Sequence, residues 1–342
     1  MTTKIFLVRH AEAEGNLFRL AHGQYDSIIT ANGYRQLAYL RERFRNERID
    51  AVYGSDLTRT HITASAIYVP KNLPFQPMPL LRELRLGVWE QMSWGEILRM
   101  DRQMYIDFNK RPDLWHVEDA ETFAQVRDRM LEALRQIAAR HPGGTVAATS
   151  HGAALRTLLG TLQGLSLEEI GKTGHGDNTA VSLIEVEGDA MRVVFRDDAS
   201  HVPAEASTFR RQTWHKDDAA TEPGLWYQTE LENSMGRTAG AMLDETPAGR
   251  FAVRLEPETL RITEYEIIPE LRGRGYGVQL LGQAVQFARK HGRENVSLSC
   301  PEKLRGYFAK YGFAAADENL MVLDIRPIIR EIPDVEMPHD NI

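Results

Sequence analysis

Residues 4–8, KIFLV, form an unbroken apolar run, the pattern of a strand covered on both faces. IDAVYGS (49–55) and TVAATS (145–150) have the same character. Helical stretches follow at 57–68 and 152–163. Between them, TFAQVRDRMLEALRQIAARH (122–141) spaces its apolar residues as a helix does and stops at Pro142-Gly143-Gly144. TAVSLIEVEG and AMRVVFRD predict a β-hairpin around Gly188-Asp189. Strands alternating with helices, then a late antiparallel pair, predict a doubly wound α/β domain with a mostly parallel sheet.

The pattern changes at RRQTWHKDDAATEPG (210–224), which is polar and without period. Beyond it LWYQTEL, RTAGAML, RFAVRL and LRITEYEII read as successive strands. A glycine-rich turn, the helix VQLLGQAVQFARKHG, the strand NVSLSC, the helix PEKLRGYFAKYG and the strand LMVLDI complete a smaller α+β domain. The ending PDVEMPHDNI is polar and expected to fray. The expected division is a first domain at 1–207, a linker at 208–226, a second domain at 227–328 and a tail at 329–342.

Composition narrows the classes. Among 342 residues the formal charge is −7, so no global field draws nucleic acid, and an anionic substrate needs a local cationic pocket. Cys300 is the single cysteine, which excludes an internal disulfide and a cysteine-rich zinc site. MTTKIFLVRH lacks a signal-peptide core, and no apolar run is long enough to span a bilayer. The expectation is a cytoplasmic protein without nucleic-acid or membrane partners; a homodimer is compatible with it.

Candidate chemistry gathers at strand ends, where open α/β sheets place their sites. LVRHAEAEGN (7–16) puts Arg9 and His10 at the end of the first strand, with Asn16 beyond. ATSHGAALR carries His151 just past another strand, and GSDLTRTHITA carries Arg59 after a third. LLRELRLGVWE brings Glu83 after the extended FQPMP. An imidazole can attack phosphorus, forked guanidinium donors match phosphoryl oxygens, and a carboxylic acid can protonate a leaving oxygen. Glu12 and Glu90 compete with Glu83 for that last role. His22 and His61 read as loop and helix residues, and His201 as a hydrogen-bond partner. The stretch 88–118, rich in Trp and Met, reads as helical core rather than a lid.

Five ordered motifs resemble the histidine phosphatase (phosphoglycerate-mutase-like) superfamily over about residues 1–205: Arg9-His10-Ala11, GQYDSIITANGYRQLA, SDLTRTHITA, SHGAALR and DDASHV. The resemblance implies a metal-independent phosphatase acting on a small phosphorylated metabolite. His10 would form a phosphohistidine, Glu83 would serve as acid and then base, and Arg9, Asn16, Arg59 and His151 would hold the oxygens. Ala11 stands where the family usually has glycine, and so does Gln91, near Glu83. No arginine pair matches the one that would hold the carboxylate of a phosphoglycerate, which favours a phosphatase over a mutase.

EYEIIPELRGRGYGVQLLGQAV sets Arg272, Gly273, Arg274, Gly275, Tyr276 and Gly277 between a strand and a helix. Backbone N–H groups in such a turn form an anion site. Leu280, where a dinucleotide fingerprint needs glycine, argues against NAD. With YFAKYGF (307–313), the order resembles the GNAT acetyltransferase superfamily over about 235–325, which implies acetyl-CoA at the glycine turn. Phe308 stands at the family's frequent proton-donor tyrosine, with Tyr307 about 100° away around a helix. Glu264 and Glu266 are candidate bases by strand position. The second domain can then be a second enzyme or an acyl-CoA-binding regulator; or acetyl transfer is the main activity, and the first domain only binds a phosphorylated ligand.

Overall fold

The computed structural model describes residues 1–211 and 224–335. The first unit runs β1 (Thr3–Arg9), α1 (Glu14–Phe18), α2 (Ala31–Arg43), β2 (Ala51–Gly54), α3 (Thr58–Tyr68), β3 (Phe75–Pro77), α4 (Trp94–Met100), α5 (Arg102–Lys110), α6 (Phe123–Arg140), β4 (Thr145–Ser150), α7 (Gly152–Leu162), α8 (Leu167–Ile170), β5 (Val181–Glu187), β6 (Ala190–Asp198) and α9 (Thr208–Arg211). Its sheet order is β3-β2-β4-β1-β5-β6. The first four are mutually parallel, and β5 and β6 add an antiparallel edge.

The apolar runs are continuous because both sheet faces are covered. Ile5 and Leu7 pack under α6 and α7, while Phe6 and Val8 pack under α2 and α3. Register then places the chemistry. Arg9 pairs with Ser150 across the β1–β4 ladder, so His10 and His151 leave adjacent strands in step. Helix α2 packs Tyr34, Leu37 and Leu40 against the sheet and also buries Asn32 and Gln36; Thr30 caps it by accepting from the Gly33 N–H at 3.0 Å. The stretch 88–118 is helical core: Trp89, Tyr105 and Trp115 are buried with Phe123.

The second unit runs β7 (Leu225–Asn233), β8 (Gly236–Leu243), β9 (Thr246–Leu255), β10 (Thr259–Ile267), α10 (Tyr276–Lys290), β11 (Asn295–Ser299), α11 (Glu302–Ala309), β12 (Ala314–Ala315) and β13 (Leu320–Asp324). Sheet order is β12-β13-β11-β10-β9-β8-β7, antiparallel except for β10–β11. That parallel ladder ends at Ile262–Leu298 and β10 bulges just beyond, opening the sheet beside the glycine turn.

Two expectations change. The segment expected as linker, 208–226, begins with helix α9 and ends inside β7; residues 212–223 of the polar stretch lie outside the described residues. Of the ending expected to fray, 333–342, the described residues 333–335 dock with the chain just before them. The Tyr34 hydroxyl donates to Ile328 O and accepts from Arg330 N, and Arg41 donates to Ile332 O and Pro333 O. Polar side chains on α2 satisfy the tail backbone, a signal that the tail's own composition does not carry. Residues 336–342 lie outside the described residues.

The units share a core. Phe18 and Leu20 of the first are buried among the apolar residues of the second. A Cβ at Gly282 would lie 2.5 Å from Phe18 Cβ, so glycine lets α10 approach α1. Arg289 on α10 makes a two-pronged ion pair with the buried Glu14.

Gln91 takes a left-handed backbone at φ 69°, where an L side chain is strained. Gln91→Gly is expected to leave the urea midpoint unchanged or to raise stability by up to about 1 kcal/mol. Gln91→Val is expected to lower stability by about 1–2 kcal/mol, because a β-branched residue tolerates this region worst.

Candidate active site

His10 is 2% exposed. Its Nδ1 lies 2.8 Å from Ala11 O. A carbonyl only accepts, so Nδ1 carries the proton and Nε2 keeps its lone pair. The His151 ring centroid is 5.3 Å from that of His10, and the His22 ring meets His10 edge-on at 5.6 Å.

Both arginines are buried beside these rings. Arg9 Nη1 donates to Gly176 O at 2.6 Å, while its buried Nε has no partner among the described residues. That unmet donor suits an anionic oxygen. Arg59 is fully buried and donates to His151 Nδ1 (3.1 Å), Tyr25 O, His22 O and Gly23 O. His151 Nε2 lies 2.8 Å from Ser55 Oγ. Both His151 nitrogens are therefore engaged by protein partners. In this arrangement His151 anchors Arg59 and forms one wall beside the His10 ring.

The carboxylates sort by their partners. Glu83 accepts from the Leu84, Ala153 and Ala154 N–H groups, which sets it at the first turn of α7, beside His151. Glu90 braces the 22–26 loop by accepting from Gln24 N and Tyr25 N. Glu12 accepts from Thr30, Asn32 and Thr208 instead. Asn16 Oδ1 accepts from Ala13 N and from Asn178 Nδ2, the group that also donates to His10 O. His201 is not the hydrogen-bond partner expected. It is buried, neither ring nitrogen bonds among the described residues, and burial pushes its pKa down to about 4. His61 stacks on Phe75 at 4.3 Å.

Sequence reading named His22 only as a loop residue and missed Asn178; both lie in loops without period. Beside Asn178, Thr179 is a β-branched residue held at φ 62°, donating its N–H to Arg9 O.

Burial pushes the His10 pKa well below the usual imidazole value, and Arg59, Arg9 and His22 add to the shift. His22, His151 and His175 are lowered likewise, burial first and neighbouring arginines second. These rings are neutral when folded and protonate on unfolding below about pH 6.5. The unfolded state then binds more protons, so stability is full above that pH and falls below it, by about 1.4 kcal/mol per pH unit per histidine. The expected result is a thermal midpoint that drops from pH 7.5 to pH 5.5, with inorganic phosphate reducing the drop. A midpoint flat in pH without phosphate contradicts this.

The glycine turn opens on a cavity of about 900 Å³. Gly273 and Gly275 take φ values of 76° and 81°, and Gly275 caps α10. Arg272, Gly273, Arg274, Gly275 and Gly277 line the cavity. Tyr276 keeps its backbone in the turn and buries its ring in the second core, because the first turn of α10 aims the side chain inward. Phe308 is buried too, whereas the Tyr307 and Tyr265 hydroxyls pair at 2.8 Å and would lie 2.5 and 2.9 Å from a Cβ at Gly277. No helix among the described residues is long and apolar enough to cross a membrane.

A doubly wound sheet that brings two facing histidines and two buried arginines to its carboxyl edge is the framework of a phosphoryl-handling enzyme. Residues 5–199 match the family model of the histidine phosphatase superfamily, branch 1, and the chain belongs to that family. Residues 203–313 match the acetyltransferase (GNAT) family model; both are families of enzymes. Phosphoserine phosphatase 1 of Hydrogenobacter thermophilus is 29% identical over 184 residues, 54% of this chain and 87% of that protein. The metal-independent phosphoserine phosphatase of Arabidopsis thaliana is 30% identical over 206 residues, 58% and 83% respectively. The solved structure of Bacillus stearothermophilus YhfR, 32% identical, superposes with a TM-score of 0.57 over 58% of this chain and 98% of that one.

Proposed function

We propose that the first domain hydrolyses phosphomonoesters through a phosphohistidine at His10. The observation that carries this is the buried His10 imidazole with Nδ1–H committed to Ala11 O, facing His151 and accompanied by the buried Arg9 and Arg59. The His10 Nε2 lone pair attacks phosphorus in line as the ester P–O bond breaks. Glu83 gives its proton to the departing alcohol oxygen. It then takes a proton from water, whose oxygen attacks phosphorus as the P–N bond breaks, releasing phosphate and neutral His10. Arg9 and Arg59 supply the positive charge, Asn16 and His22 bound the site, and His151 fixes Arg59. The names of the relatives make O-phospho-L-serine the first substrate to test.

The second domain is read as binding acetyl-CoA, its phosphates at the 272–277 turn and beside Lys303. The Tyr307–Tyr265 pair favours acyl transfer over mere binding, because a hydroxyl stands where Phe308 offers none. Phosphate release from O-phospho-L-serine and a panel of phosphomonoesters, with and without EDTA, tests the first reading. Release that EDTA leaves intact supports it; no release from any ester, or release lost with EDTA, refutes it. Calorimetric titration with acetyl-CoA tests the second, and loss of binding in Gly275→Trp is expected.

A further inference from the structure

The 900 Å³ cavity does not belong to the second domain alone. Glu12, Leu17, Arg19 and Arg211, all from the first unit, line it opposite β10 and α11. That wall is fixed in place: Phe18 and Leu20 sit in the second core, Glu14 pairs with Arg289, and the Ser93 hydroxyl donates to Leu225 O at 2.8 Å. The segment 10–19 thus carries His10 and Asn16 toward the phosphoryl site and Glu12, Leu17 and Arg19 toward the cavity.

Charge divides the cavity. Its turn end is cationic, with Arg272, Arg274 and Lys303, as the phosphates of a CoA require. Its other end carries both signs. Arg19 and Arg211 lie on the first-unit wall, with Arg211 Nη1 3.7 Å from the Glu12 carboxylate. On β10, Glu266 stands by the turn, 3.6 Å from Arg272 Nη2, and Glu264 lies further along the strand, 3.7 Å from Arg250 Nε. A ligand lying across this end can set an oxyanion against Arg211 and an amine against Glu264.

Resting on the acetyl-CoA reading above, we propose that the acceptor pocket is a joint site of the two domains and that its acceptor is a small primary amine bearing an oxyanion, carboxylate or phosphate. The acceptor ammonium loses one proton to Glu264, directly or through water. The amine nitrogen then attacks the thioester carbonyl carbon, and the C–S bond breaks. The second nitrogen proton goes to the departing thiolate, leaving an amide, CoA thiol and one proton released to solvent.

The test uses the full chain, acetyl-CoA and four amines, following thiol release. L-Serine carries a carboxylate, 2-aminoethylphosphonate a phosphate-like group that cannot be hydrolysed, ethanolamine no anion and spermidine only cations. The expected result is kcat/KM for L-serine or the phosphonate at least about tenfold above ethanolamine and spermidine; the better of the two identifies the oxyanion. Arg211→Gln is expected to remove that advantage and Arg211→Lys to restore part of it. Acetyl-CoA affinity and phosphate release stay at parental values in both variants. Equal use of ethanolamine, acetyl-CoA binding without transfer to any of the four, or an Arg211→Gln variant with unchanged preference overturns the joint acceptor site. Failure of the parent protein to bind acetyl-CoA overturns the cofactor reading itself, and the two failures are separated by the titration.

Discussion

His10→Ala is expected to remain folded and to lose phosphate release by about 10⁴-fold or more, as removal of a nucleophile does when no neighbour can replace it. The His151 imidazole is no substitute, because both its nitrogens are taken by Arg59 and Ser55. The same change is expected to hold or raise the thermal midpoint, because it deletes a desolvated ring lying close to two guanidiniums. Phosphate release and a melting curve on one preparation check both halves. Activity within tenfold of the parent removes the nucleophile from the account.

Arg59→Lys is expected to harm rate and fold together. The guanidinium makes four hydrogen bonds at once, to His151 and to three carbonyls of the 22–25 loop. A lysine ammonium is a point donor and cannot span that fork. Carbonyls left buried without partners put the stability loss at about 2–4 kcal/mol. Loss of one oriented cation at the phosphoryl group lowers the rate by about 10²–10³. Urea denaturation and phosphate release measure the two effects. A lysine variant as stable and active as the parent shows that the fork does not organise the site.

The legible part of the site lies at strand ends. Arg9, His10, Arg59 and His151 stand at or just past buried apolar runs, and strand register alone brings His10 and His151 side by side. His22 and Asn178 reach the site from irregular loops, whose path depends on bonds such as Arg59 to His22 O that no local pattern encodes. The inward direction of the Tyr276 ring was not legible, because a glycine turn reveals where backbone is open but not which way the first helical side chain points. The docking of the two units was illegible for a similar reason. It depends on one short helix, one glycine at 282, and an ion pair between Glu14 and Arg289, far apart in the chain. The docked tail is held by Arg41 and Tyr34 on another element.

The most direct measurement is a single-turnover reaction with enzyme in excess over a phosphate-labelled ester, quenched in alkali, digested and mapped. The expected result is label on the peptide containing His10, stable to base, released by mild acid and absent from His10→Ala. Label on any other residue, or full phosphate release with no labelled peptide at any quench time, contradicts a phosphohistidine at position 10.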